Sequence, residues 1–430
     1  MAYADIVAIS GFAALFAMLL LRVPVGVALA LVGVGGFAAI RGWTPALNLL
    51  ATSPIRVLTD FHLSLVVFFI LMGALATNSG LSREVFRAAS AWFGPLRGGV
   101  AMSTVVACGG FAAISGSSVA TAATMTRVAL PEMRRYGYRE DMATGVIAAG
   151  GTLGIMIPPS VVMVIYAFIT ETDVSQLFIA GIIPGLMAIV LYMLTIRIAY
   201  GRGLPDGQPF VLREAVASLS GVWAVMLLFA AVIGAIYLGV ATPTEASALG
   251  AIATLAIGVA RGQLNTDKIL RSLVETLRIS VSIFTVLIGA VLFGYFLAIT
   301  RSPQKLTAWL VSLDMSAHGT LALILIAFII AGCILDTMAM ILLLVPIVFP
   351  VVMHLGFDPI WFGVIIVMVA ELGMITPPMG INVFVINTLA KGVRLTTIFR
   401  GVLPFVVTDV IRLILLILFP ALVLFLPNTM

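Results

Sequence analysis

The sequence predicts an all-α polytopic membrane protein made of two inverted repeats, each with five transmembrane helices and one re-entrant hairpin. Three observations carry this: composition, an internal repeat and the distribution of positive charge. Of the 430 residues, 62% are hydrophobic and 10% charged, with a mean hydropathy of +1.22. Soluble domains are about 45–50% apolar and about 25% charged. A water-soluble fold of this length could not bury that much apolar surface, so the solvent is lipid.

A bilayer is crossed by about 20 consecutive apolar residues in a helix, a conformation that satisfies its own backbone groups. The first half offers Ile6–Leu21, Val25–Ile40, Leu63–Asn78, Met142–Thr170 and Leu177–Tyr200. The second offers Val222–Leu238, Thr244–Ala260, Ile279–Ile299, Ile360–Leu389 and Gly401–Leu426. The stretch from Asp5 to Leu21 has neither a basic leader nor a small-residue cleavage site, and reads as a retained first helix rather than a signal peptide. Gly98–Leu130 and Gly319–Pro350 are too long for one span and short for two. Each breaks near its middle, at Ser115-Gly116-Ser117-Ser118 and at Leu335-Asp336-Thr337. They read as re-entrant hairpins, tolerated where irregular backbone is buried in protein or lines a cavity. Ser82–Leu96 and Lys268–Arg278 have helical periodicity with one apolar face, as expected of helices lying in the interface plane.

The repeat appears at an offset of 219 residues. Pro24 falls on Pro243, Pro131 on Pro350 and Gly137 on Gly356. Leu153-Gly154-Ile155-Met156-Ile157-Pro158-Pro159 falls on Leu372-Gly373-Met374-Ile375-Thr376-Pro377-Pro378. The two units are therefore residues 1–210 and 211–430. Five spans is an odd number, so the second unit enters the membrane inverted. Charge tests this independently, because cytoplasmic loops are rich in Lys and Arg. With the N-terminus outside, 18 of the 23 basic residues fall inside and four (Arg41, Arg56, Arg301 and Lys305) outside, with Arg412 within the last span. Ten spans with both termini outside follow. The first hairpin then enters from the cytoplasm and the second from the opposite face.

Paired broken helices in inverted repeats point to a transporter's midplane site. The first hairpin tip offers small side chains, hydroxyls and the start of a short helix. Free N–H groups there suit a carboxylate, and the carbonyls of the opposite helix end suit a hard cation. The second tip carries Asp336 and Thr337, and an ionisable group at membrane depth is a functional candidate. The second element is the interrupted helix. Proline lacks a donor and pushes its predecessor out of the helical region. Carbonyls near Gly154 and Ile157, and near Gly373 and Thr376, lose their intrahelical partners, and a cation can replace these. The residues expected at the substrate are Ser117, Ser118, Pro158, Ser160 and Pro378.

Three motifs carry a family resemblance: the Ser115-Gly116-Ser117-Ser118 tip, Gly151-Thr152-Leu153-Gly154-Ile155-Met156-Ile157-Pro158-Pro159-Ser160, and Ala241-Thr242-Pro243-Thr244-Glu245-Ala246. With them the chain resembles, over essentially its whole length, the DctM-type large membrane subunit of tripartite ATP-independent periplasmic (TRAP) transporters. The resemblance implies a sodium-driven carrier of an organic acid such as a C4-dicarboxylate or a sialic acid, in a bacterial inner membrane. It implies two partners, a small DctQ-type membrane subunit of about four helices and a DctP-type periplasmic binding protein that delivers the substrate. It also implies an elevator mechanism, in which hairpins and broken helices move as one block. The sodium ligands it implies are the first tip, Ser115, Gly116 and Ser117, with Gly154, Ile157 and Pro159, and Asp336 with Gly373 and Thr376. Thr337 joins the second set by its place at that tip. Where many relatives are more polar after the first tip, this chain has Val119-Ala120-Thr121.

Other function classes lack their motifs. No G-x-S-x-G elbow accompanies the serines, no nucleotide-binding G-x-x-x-x-G-K-[ST] loop is present, and no aromatic-basic patch points to nucleic acid. Cys108 and Cys333 match no metal-ligand spacing. No enzyme activity and no cofactor beyond the coupling sodium ions are expected. The alternative within transport is a stand-alone cation-coupled carboxylate symporter of similar inverted fold.

Overall fold

Without water to bond, a backbone in lipid closes its own hydrogen bonds in helices, and helix is the dominant structure of the described residues. The computed structural model describes residues 3–430, and among them there is no strand. The first half runs α1 (Tyr3–Leu20), α2 (Val25–Arg41), α3 (Trp43–Leu58), α4 (Ser64–Ser79), α5 (Leu81–Phe93), α6 (Gly99–Ser115), α7 (Ser118–Arg135), α8 (Glu140–Met156), α9 (Val161–Thr170) and α10 (Val174–Tyr200). The second runs α11 (Leu212–Tyr237), α12 (Pro243–Ala260), α13 (Thr266–Thr300), α14 (Ser302–Ser312), α15 (Ala317–Gly332), α16 (Thr337–His354), α17 (Pro359–Ile375), α18 (Ile381–Leu389), α19 (Leu395–Leu418) and α20 (Ala421–Leu424).

Several helix bounds recur at the offset seen in the sequence. Helix α7, Ser118–Arg135, corresponds to α16, Thr337–His354, and α8, Glu140–Met156, to α17, Pro359–Ile375. Each of α8 and α17 ends just before a Pro-Pro pair, and both pairs are cis. The helices also break where expected, at Gly116–Ser117 and between Gly332 and Asp336. Among the described residues, eight helical stretches are long and apolar enough to cross a membrane, and nine when α8 and α9, bent by 41°, count as one. Of the ten expected spans, α2 and α17 are 17 residues each and fall just short of that length, whereas α16, an arm of an expected hairpin, reaches it.

Four elements depart from the sequence reading. Lys268–Arg278 is not a separate interfacial helix, because it forms the first part of the 35-residue α13. The corresponding stretch of the first half does break. Asp60 accepts the His62 N–H at 2.9 Å and caps a new turn before α4, whereas the position 219 residues on is Ile279, which has no capping oxygen. The sequence reading assigns no element to α3 or α14. Polar Asn48, Thr52 and Ser53 and an internal Pro54 mask the apolar period of α3. The expected last span, Gly401–Leu426, is cut at Phe419-Pro420, where α19 stops.

Helices α8 and α17 occupy the centre. Every residue from Asp141 to Met156 and from Ile360 to Ile375 is buried, as expected of helices with no polar face. They touch each other, and α10 and α19 pack on both. Around them stand the hairpin arms, α6 and α7 against α8 and α15 and α16 against α17. The outer shell includes α1, whose Ile6, Ile9 and Phe16 are exposed.

Helices α2 and α13 meet through glycine. A Cβ on Gly26 would lie 2.6 Å from the Thr285 carbonyl oxygen, one on Gly33 2.6 Å from the Leu292 carbonyl, and one on Gly289 2.1 Å from the Gly26 oxygen. Small residues let membrane helices approach this closely, and packing then supplies the association energy. Gly289→Leu is expected to force the two helices apart and lower the melting temperature of the purified protein in detergent. Gly294→Ala, on the same helix with nothing within 4 Å of its Cβ, is the matched control and is expected to leave it unchanged or raised.

Candidate ion and substrate site

The first broken helix is defined by missing donors. In an unbroken helix the Gly154 and Ile155 carbonyls would accept from residues 158 and 159, but both are proline. Ser160 repairs one of these losses. Its hydroxyl donates to the Ile155 carbonyl at 2.6 Å, while its oxygen caps α9 by accepting the Met163 N–H at 3.4 Å. Among the described residues no donor takes the Gly154 carbonyl.

The first hairpin tip lies directly against this break. A Cβ on Gly154 would sit 2.5 Å from the Ser117 oxygen and 2.7 Å from the Ser118 nitrogen. One on Gly116 would sit 2.6 Å from the Pro159 oxygen. Both positions therefore exclude any larger residue, and Gly116 also has φ 57°, which favours glycine. The tip is internally bonded. Ser117 caps α7 by accepting the Ala120 N–H at 3.3 Å, and its carbonyl accepts from the Thr121 hydroxyl at 2.8 Å. Thr121 is buried and shares a further hydrogen bond with Ser115 at 3.0 Å. The side chain after the first tip is thus polar in this chain too, at Thr121. Ser115, Gly116 and Ser117 are brought together with Gly154 and Pro159. The Ile157 side chain packs toward Gly185, which leaves only its backbone for a ligand role. Pro158 is buried in the same break.

The second break has the same logic and a different finish. Pro377 and Pro378 remove the donors for the Gly373 and Met374 carbonyls. The position matching Ser160 is Met379, which has no hydroxyl to donate. Thr376 donates its hydroxyl to the Leu372 carbonyl one turn back. Gly373 packs on Gly332 at the end of α15, with a Cβ–oxygen approach of 2.8 Å, and Gly332, Thr337 and Gly373 line one narrow cleft. Asp336 is the N-cap of α16. One carboxylate oxygen accepts the Met338 and Ala339 N–H groups at 2.9 and 3.0 Å, and the side chain is exposed. Residues 151–160 are all buried, whereas Pro377, Pro378 and Met379 are exposed. One break is closed and the other opens to the surface.

Two polar elements at the centre are not among the residues expected at sodium or substrate, although the i,i+3 spacing of Asp409 and Arg412 on one helix already predicts that those two pair. Asn382 on α18, fully buried, donates to the Ser118 hydroxyl at 2.7 Å and to the Ala148 carbonyl of α8 at 3.2 Å, and accepts from Ser118 at 3.0 Å. It joins the second broken helix to the first tip, so Ser118 faces a protein partner. The other element is an ionic cluster with no solvent exposure. Arg412 on α19 pairs with Glu371 and, at 3.1 Å, with Asp409. A lone asparagine in an apolar helix and a glutamate 41 residues from its arginine give no local pattern.

A cavity of about 890 Å³ lies to one side of the breaks. Its walls come from α3, α4, α12 and α13 on one flank and from α9 and α16 on the other, with Arg56, Asp60, His62 and Glu171 among its polar residues. None of the residues expected to bind sodium or substrate lines it.

Asn382→Ala would leave the buried Ser118 hydroxyl without its partner, a cost of about 1–3 kcal/mol, and would remove the second donor of the Ala148 carbonyl, which keeps its helical one. The expected result is a lower melting temperature, read by light scattering of the detergent-purified protein, with the exposed neighbouring variant Thr388→Ala as control.

The chain matches the family described as "Tripartite ATP-independent periplasmic transporter, DctM component" over residues 12–422. It is 39% identical over 401 residues to the C4-dicarboxylate TRAP transporter large permease protein DctM of Pseudomonas aeruginosa, covering 90% of this chain and 93% of that one. It is 31% identical over 413 residues to the sialic acid TRAP transporter large permease protein SiaM of Vibrio cholerae, covering 96% of each. In fold it is similar to the YdaH transporter of Alcanivorax borkumensis, with a TM-score of 0.62 at 16% identity, covering 88% of this chain and 89% of that one. Eight or nine apolar helices, two Pro-Pro breaks packed against hairpin tips and a match across nearly the whole sequence converge: this chain belongs to the DctM component family, the large permease subunits of TRAP transporters.

Proposed function

We propose that this permease subunit imports a small organic acid on a sodium gradient, and that the sodium ions sit at the two helix breaks. The observation that carries the reading is the orphaned Gly154 carbonyl held against the Ser117 backbone, with the Gly373 and Met374 carbonyls likewise robbed of helical donors in the second half. Buried backbone oxygens without donors are costly, and a hard cation offsets that cost by taking oxygen ligands. At the first break the ligands are the tip, Ser115 to Ser117, with the backbone of Gly154, Ile157 and Pro159. At the second they are Asp336, Thr337, Gly373 and Thr376. Both Asp336 hydrogen bonds use a single carboxylate oxygen, which leaves the other for an ion. Substrate occupies the space between, against Ser117, Ser118, Pro158, Ser160 and Pro378. The relatives' names cite a C4-dicarboxylate and a sialic acid, both carboxylic acids, and helix N-terminal amides suit that group.

The remaining features complete the reading. The hairpins enter from opposite faces of a bacterial inner membrane, with both chain termini periplasmic. The block α6–α9 with α15–α18 moves past a frame built on the glycine-packed α2 and α13, an elevator motion that the cavity between the two groups supports. A small four-helix membrane subunit and a periplasmic binding protein complete the transporter, consistent with the words "tripartite" and "component" in the family description.

In proteoliposomes holding both membrane subunits and supplied with the binding protein, uptake of the acid is expected to require sodium. Asp336→Ala is expected to abolish that requirement's benefit, lowering uptake at least tenfold while the protein still inserts. Sodium-driven uptake at wild-type rates in this variant removes Asp336 from the site, and full uptake without the binding protein favours the stand-alone symporter. Topology is tested by labelling in a background lacking Cys108 and Cys333. Asp206→Cys, in the loop before α11, is expected to react only from the cytoplasm and Asn428→Cys only from the periplasm. The opposite pattern rejects the orientation.

A further inference from the structure

Thr152 and Glu371 hold matching places in the two halves, each two residues before the glycine whose carbonyl the prolines orphan. A buried chain of polar contacts connects them. Thr152 on α8 meets the Tyr192 hydroxyl of α10 at 3.4 Å. Tyr192 bonds both oxygens of Asp409 on α19, at 2.7 and 2.9 Å. Asp409 pairs with Arg412 at 3.1 Å, and Arg412 pairs with Glu371 on α17. Thr152, Tyr192, Glu371, Asp409 and Arg412 are all 0% exposed.

Such a cluster is a poor stabiliser, since apolar residues of similar volume often do as well or better in the same place. What it supplies is fixed spacing between the elements that carry it. It also has room to rearrange at each end. Tyr192 has one hydroxyl hydrogen, directed at Asp409, so Thr152 is the donor in their contact. Yet the Thr152 hydrogen has a competing acceptor, the Ala149 carbonyl at 2.7 Å. At the far end one Glu371 oxygen and the Nε and Nη1 of Arg412 are buried without a partner. Coupling between sites requires an element with two discrete arrangements that both sites bias, and the Thr152 hydroxyl with its two acceptors and the unpartnered Glu371 and Arg412 atoms are the points of this chain at which a second arrangement is available.

We propose that the chain Thr152–Tyr192–Asp409–Arg412–Glu371 couples the two helix breaks, so that a cation filling one sets the affinity of the other. Tyr192 and Arg412 are then positioning residues that touch neither ion nor substrate. The inference rests on the sodium reading given above.

The test is initial uptake against sodium concentration in proteoliposomes of the complete transporter. The wild type is expected to give a sigmoidal curve with a Hill coefficient above 1. Tyr192→Phe keeps the ring and removes the link. It is expected to bring the Hill coefficient to about 1 and to raise half-saturating sodium about fivefold or more, the usual scale of coupling between sites. Thr152→Val, which cuts only the first link of the chain and leaves the Tyr192–Asp409 bond and every charge in place, is expected to do the same. A merely structural role would lower the amount of folded protein and leave the curve's shape alone. Wild-type curve shape in both variants, or a hyperbolic curve in the wild type, overturns the coupling while leaving sodium drive intact. Wild-type uptake indifferent to sodium overturns the proposed function, and the coupling with it.

Discussion

A backbone carbonyl at membrane depth must have a donor, and at Gly154, Gly373 and Met374 proline removes it. The rest of the structure is arranged around that constraint. Orphaned oxygens are least costly where protein surrounds them, and the arms that lead into the two breaks, α8 and α17, are accordingly buried along nearly their whole length. They are sheathed by hairpin arms, held from the side by α10 and α19 and cross-linked by Asn382 and the Arg412 cluster. Glycine does the complementary work. Gly154 and Gly116 allow the first tip to approach within backbone contact of the break, so the loose ends of four helices meet in one small volume.

The two halves solve the same problem to different degrees. Ser160 restores a donor to the first break and Met379 restores none to the second. The first break is sealed, and Pro377 to Met379 are at the surface. An ion at the first break would exchange only after the tip moved, while one at the second would meet the surroundings directly. The two breaks thus differ in access, and on the sodium reading proposed above that difference suits ordered binding.

Much of this was legible in the sequence because prolines and glycines act locally. The Pro-Pro pairs, the 219-residue offset and the apolar runs placed both breaks and both hairpin turns, and helix bounds such as Ser118–Arg135 and Thr337–His354 carry the same offset. What the sequence hid depends on tertiary contact or on a single capping atom. Lys268–Arg278 looked interfacial, yet nothing at Ile279 ends the helix as Asp60 does in the other half. Helix α3 was masked by its polar residues and Pro54. Asn382 and the Glu371–Arg412 pair join elements far apart in the chain, so no local pattern marks them. Asp336 lies at the second tip, as the sequence places it, but is exposed and spends one carboxylate oxygen capping its own helix, which no sequence pattern announces.

The most direct test of the account is a cryo-electron microscopy map of the complete transporter in sodium, compared with one in potassium. The account predicts density bonded to the Gly154 carbonyl and the end of α6 in sodium, absent in potassium, with the helix open at Pro158-Pro159. An empty first break in saturating sodium, or a donor from the protein found on the Gly154 carbonyl, would contradict it.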